Sequence, residues 1–167
     1  MKKTVVSLGA VLSLIVLVSA MKSAPVPVDL ESRGIPIIVN VPNGSVVSAG
    51  FLDGMDMGES KTLNWEINQG DFSLDISMED ASPKKSHAEY LRYERNVVEM
   101  DPSFDGYIES DNNGFLVKLD FDGVVEYDFY HLLTKDNRAI EFSVGIGASD
   151  YSKENIRSIY YAARTAK

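Results

Sequence analysis

From Phe72 to Glu79 the chain alternates without a fault. Phe72, Leu74, Ile76 and Met78 are apolar, and Ser73, Asp75, Ser77 and Glu79 between them are polar. A period of two sends successive side chains to opposite faces, so this stretch predicts a strand with one buried and one wet face. Leu63, Trp65 and Ile67 repeat the pattern before it, and Phe115, Val117, Leu119 and Phe121 repeat it after. Short turn sequences separate these runs: Gln69-Gly70, Asp122-Gly123 and Lys135-Asp136-Asn137. Connections this short join antiparallel neighbours, because a parallel pair needs a crossover of a dozen residues or more. A mostly antiparallel sheet is therefore the frame any fold of this chain must accommodate.

The remaining elements attach to that frame. Ile35, Ile37, Val39 and Val41 alternate, and Pro42-Asn43-Gly44 follows as a turn, with Ser45–Ala49 expected as the return strand of a hairpin. Residues 51–60 read as a loop by their glycines. Residues 82–100 change to a helical period, with Ala88, Tyr90, Leu91, Val97 and Val98 on one face. Ser82-Pro83 offers a start, and Ser86-His87-Ala88-Glu89 fits a capping box that places the regular helix later. Asp101–Asn113 is turn-rich, with room for a short strand at Tyr107-Ile108. Val124–Thr134 and Arg138–Val144 read as strands. A closing helix spans 152–166 on the stripe Ile156, Ile159, Tyr160 and Ala163. The order β-β-β-β-α-β-β-β-β-α predicts an α+β domain with two helices packed on the sheet.

The first residues have a different character. Met1-Lys2-Lys3 precedes an apolar run of about fourteen residues, Val5–Val18, which ends at Ser19-Ala20. That is the order of a secretory signal, and the run is short of the roughly 20 residues that span a bilayer. The expectation is a signal peptide over 1–20, cleaved after Ala20, a flexible tether over 21–34, and one domain over 35–167. The product would be exported to the periplasm or beyond, with no membrane insertion after cleavage. Loss of Lys2 and Lys3 would take the net charge from −9 to −11. So acidic a chain lacks the basic surface that nucleic acid requires. It has no cysteine, which removes disulfides, thiolate metal sites and cysteine nucleophiles.

The Val39-Asn40-Val41-Pro42-Asn43-Gly44 strand and turn, the amphipathic strand before a mid-chain helix, the Val124–Thr134 and Arg138–Val144 hairpin and the closing helix together resemble the PsbP-like fold. The chain also resembles small exported Bacteroidetes proteins of unknown function. The resemblance covers residues 35–166 and implies an antiparallel α+β fold. It assigns no residue a role, and shared fold alone carries no function.

Catalytic templates are absent. Gly145-Ile146-Gly147-Ala148-Ser149 has its glycines misplaced for a nucleophile elbow and lacks the third glycine of a dinucleotide fingerprint. Of the two histidines, His87 falls in a first helical turn, and His131 lies in a strand in register with Tyr127 and Phe129, as packed residues do. No cofactor is implied. Asp101, Ser103, Asp105 and Glu109 match four positions of a twelve-residue calcium loop, but Asn112 stands where its bidentate glutamate belongs. Met55-Asp56-Met57 could contribute thioethers to Cu(I) if Met78 or Met100 approached. Arg157, Tyr161 and Arg164 share a helix face opposite Ile156 and Ile159, a stripe suited to an acidic protein partner. The reading favoured is a non-enzymatic binding or accessory protein of the cell envelope. A calcium or copper binder, and a hydrolase using carboxylates and His131, are the alternatives.

Overall fold

The computed structural model describes residues 24–55, 61–79 and 85–167. The expected signal sequence, Ser82-Pro83 and Met57 lie outside them. Seven strands form one sheet: β3 (Val46–Ala49), β4 (Thr62–Gln69), β5 (Phe72–Glu79), β6 (Phe104–Ser110), β7 (Gly114–Phe121), β8 (Val124–Lys135) and β9 (Arg138–Val144). Their spatial order is β3-β4-β5-β9-β8-β7-β6, and every neighbouring pair is antiparallel. β1 (Val26–Asp29) and β2 (Ile38–Val41) make a separate two-stranded ribbon. With helices α1 (His87–Glu99) and α2 (Lys153–Arg164), the molecule is the expected α+β architecture.

The tight turns form for the reason their residues suggest. Asp122 and Gly123 have φ of 54° and 92°, and Asp136 and Asn137 have 49° and 56°. Two successive residues in the left-handed region match the right-handed twist of the strands they join. The capping box also forms: the Ser86 hydroxyl accepts from the Glu89 amide, and the Glu89 carboxylate accepts from the Ser86 amide at 2.8 Å.

Period two assigns the two sheet faces. Leu74, Ile76, Phe142 and Phe129 line one face, where α2 buries Ile156, Ile159, Tyr160, Ala162 and Ala163 against them. The opposite face carries a smaller core. Leu91 of α1 packs there with Phe115, Val117, Tyr130 and Leu132. α1 thus covers the β7–β8 side of that face, while Val124 at the end of β8 stays exposed.

Three expectations are corrected. Residues 26–34 are not a tether. β1 pairs with β2 over Val26–Asp29, a 3-10 turn follows at Glu31–Arg33, and Leu30 is fully buried. The indole N–H of Trp65 donates to the Arg33 carbonyl at 3.1 Å. Gly34 follows with φ of 88°, pressed so close to Leu63 that a Cβ would lie 2.9 Å from Leu63 Cδ1. Prolines and a glycine thus mark tight packing here. Secondly, the Pro42–Gly44 turn does not close a hairpin. β2 pairs with β1, β3 pairs with β4, and the turn passes the chain from ribbon to sheet. Thirdly, the short strand expected at Tyr107-Ile108 is the full edge strand β6, whose alternation is masked by register shifts at Phe104/Gly106 and Tyr107/Glu109.

Candidate functional site

α2 places Arg157, Tyr161 and Arg164 on its solvent side, as their spacing of four and three dictates. β6 runs beneath their long arms. Glu109 reaches up between the two arginines: Arg157 Nε and Nη2 donate to Oε1 at 2.7 and 2.6 Å, and Arg164 Nη1 donates to Oε2 at 3.1 Å. Arg164 Nη2 also meets Asp111 Oδ2 at 3.1 Å, and its guanidinium lies 5.4 Å from the Tyr160 ring centroid. Two carboxylates therefore neutralise the stripe, so it is not the free basic surface its sequence suggests. Partly exposed pairs of this kind contribute about 0.2–1 kcal/mol each. Their effect is to fix both arginines beside Tyr161, which is 67% exposed.

Next to this face lies an open groove of about 1160 Å³. Ser158 and Tyr161 of α2 and Thr165 at its C-cap form one wall, and Asn43 after β2 and Asp71 and Phe72 at the β4–β5 turn contribute to the rest. Small-molecule sites enclose roughly 300–1,000 Å³ and bury most of their ligand. This groove is larger and open, which suits a polypeptide segment better than a small substrate.

The four calcium-loop residues do not converge. Asp101 folds onto its own turn, accepting from the Ser103 amide at 2.8 Å and hydroxyl at 2.6 Å, which holds its carboxyl below the usual range. Asp105 pairs with Lys118, and Glu109 is taken by the two arginines. Asp105 and Glu109 are also set apart along an extended strand, at about 3.3 Å per residue. Among the described residues no group of three or more carboxylate or imidazole side chains could hold a metal. The methionines among the described residues are equally scattered: Met78 is sealed in the core, while Met55 and Met100 are exposed.

His131 sits in the middle of β8, opposite Phe142 on β9 and Gly114 on β7. Its ring is buried, with Phe142 and Tyr160 at centroid distances of 5.7 and 6.1 Å. Burial pushes its pKa down to about 4. Asp111 opposes that shift, and Arg164 and His87 add to it. No nucleophile is hydrogen-bonded to its Nδ1 among the described residues. The ring is core, as its register with Tyr127 and Phe129 implied. His87 is a brace: Nε2 contacts the Asn112 carbonyl at 3.0 Å and Nδ1 the Thr134 hydroxyl at 2.9 Å. A carbonyl can only accept, so Nε2 donates to Asn112.

Sequence reasoning read 101–113 as turn-rich but missed the contacts by which its last turn organises this end of the molecule. Asp111 Oδ1 accepts from the amides of Asn113 and Gly114 at 2.8 and 3.0 Å, closing the β6–β7 turn. Arg95 of α1 donates to the Asp111 carbonyl and to Ser110 Oγ, at 2.6 and 3.0 Å. The turn thus ties α1 to α2 through Arg95 and Arg164. The Asp111-Asn112-Asn113-Gly114 run was its only sequence signal. No family model, curated protein or solved structure matches this chain.

Proposed function

We propose that this chain is an exported binding or accessory domain of the cell envelope, and that it acts through the groove beside α2. The observation that carries the reading is the open 1160 Å³ groove with Tyr161 standing exposed at its wall between two arginines fixed by Glu109. Tyrosine and arginine dominate the energetics of protein interfaces, and pre-ordered arms lose less entropy on binding. The lysine-led apolar run at the start of the sequence supports export. The resemblance to the PsbP-like fold belongs to this proposal, because an antiparallel sheet with a mid-chain and a closing helix is the order it implies. The hydrolase reading gains nothing from His131, which is enclosed by aromatic rings.

Site-specific photocrosslinking in the producing cell tests the reading. A photoreactive phenylalanine analogue replaces Tyr161 in one strain and Val124, exposed at the far end of β8, in another. The expected result is one discrete adduct from position 161 that is absent from position 124. The same adducts from both positions, or none from position 161, would remove the groove from consideration.

A further inference from the structure

Among the described residues there are four outer strands, and three of them are blunted. β1 contains Pro27, which has no N–H to offer. β2 exchanges hydrogen bonds at Ile38 with the chain's last residue, Lys167, at 3.0 and 3.1 Å. β6 carries two register shifts and the charges of Asp105 and Glu109. β3 has no such device. Val46-Val47-Ser48-Ala49 holds no charge, proline, glycine or bulge, in a chain whose residues are 25% charged. Unprotected edges of this composition are templates for another strand.

The direction of its free hydrogen-bonding groups follows from the register. The Gly50 amide donates to the Asn64 carbonyl, and Ser48 and Val46 face Glu66 and Asn68 in the same series. Alternate residues of an antiparallel pair exchange hydrogen bonds, so Val46 and Ser48 bond to β4. Val47 and Ala49 therefore aim their N–H and C=O groups away from the sheet. Large apolar side chains lie at the same edge: Val46 is 65% exposed and Phe51 is 75% exposed.

We propose that β3 is a self-association edge, on which a second copy of this chain adds its own β3 antiparallel about a two-fold axis through Ser48. Only a two-fold centred there matches both sets of outward groups. Val47 bonds to Ala49 of the second copy and Ala49 to its Val47, giving about four backbone hydrogen bonds. Ser48 faces itself as a non-hydrogen-bonded pair, and no charged side chain on either β3 meets a like charge. Ser45 falls opposite the second copy's Phe51, which draws that exposed ring into the contact. A four-residue edge supports a reversible dimer, independent of the α2 groove.

The absence of cysteine makes the register directly testable. In a non-hydrogen-bonded antiparallel pair the Cα atoms lie about 4.5 Å apart, within disulfide reach. Ser48→Cys should therefore crosslink to a covalent dimer under mild oxidation. Val46→Cys should not, because its mate across the axis is Gly50. Ala49→Pro, which removes an outward N–H and keeps the β4 ladder, should abolish the Ser48→Cys crosslink while circular dichroism is unchanged. In sedimentation velocity the unmodified protein should shift from monomer toward dimer as concentration rises. Equal crosslinking at positions 46 and 48, a crosslink that survives Ala49→Pro, or a monomer at every concentration would each overturn the proposal.

Discussion

His131 shows how a single buried residue sets a pH dependence. Its folded pKa of about 4 lies below the ordinary 6.5 because burial disfavours the charged ring. Between those values the unfolded chain binds a proton that the folded chain refuses. The stability it contributes is therefore complete above pH 6.5 and is lost as pH falls toward 4, by roughly 3 kcal/mol for a shift of this size. Asp128 acts in the opposite sense. Burial raises its carboxyl to about 6, so the folded state gains stability as pH falls through that value. The wild-type curve mixes both effects, and the difference between wild type and His131→Phe isolates one. Urea unfolding from pH 7 to pH 4 should show wild type losing stability relative to the variant. Parallel curves would show that the imidazole titrates normally. This histidine was legible in the sequence through its register with Tyr127 and Phe129. Glu109 was not: it looked like the ligand at position nine of a calcium loop, and its true partners, Arg157 and Arg164, are brought to it by the fold from far along the chain.

The two helices are anchored very differently, and this governs which opens first. α2 buries five residues in the larger core, whereas α1 buries Leu91 alone. α1 relies instead on polar ties: the Ser86 box, His87 to Asn112 and Thr134, and Arg95 to the Ser110–Asp111 turn. Such ties exchange with water at little net gain, typically about 1 kcal/mol each. Amide hydrogen exchange should therefore be faster across α1 than across α2. Leu91→Ala should cost about 2–5 kcal/mol at most and act by releasing α1, leaving α2 protected. Equal protection of both helices would refute this ranking. Element type and order were readable because period two and period 3.6 are local signals. Pairing was not, since Pro42-Asn43-Gly44 carries hairpin residues whether its strands join each other or part company.

At the scale of the whole molecule, the domain boundary is where sequence and structure differ most, and the difference has a measurable consequence. Pro25, Pro27 and Gly34 suggest a linker because such residues punctuate regular structure. Here they surround one apolar side chain, Leu30, that occupies the main core with Ile35, Ile37, Val39 and Val41. A chain starting at residue 35 would lose Leu30, the Arg33 carbonyl that accepts from Trp65, and the strand that pairs β2. Burial of one leucine contributes about 1.5–3 kcal/mol, and β2 would be left with an open edge over the core. Domains have only about 5–15 kcal/mol in hand, so this loss takes a large share. A chain starting at residue 24 keeps the whole ribbon. Thermal unfolding should find 35–167 markedly destabilised or aggregating relative to the 24–167 protein. If the two melt together, the ribbon is an ornament on a core that closes without it, and the boundary at residue 35 stands.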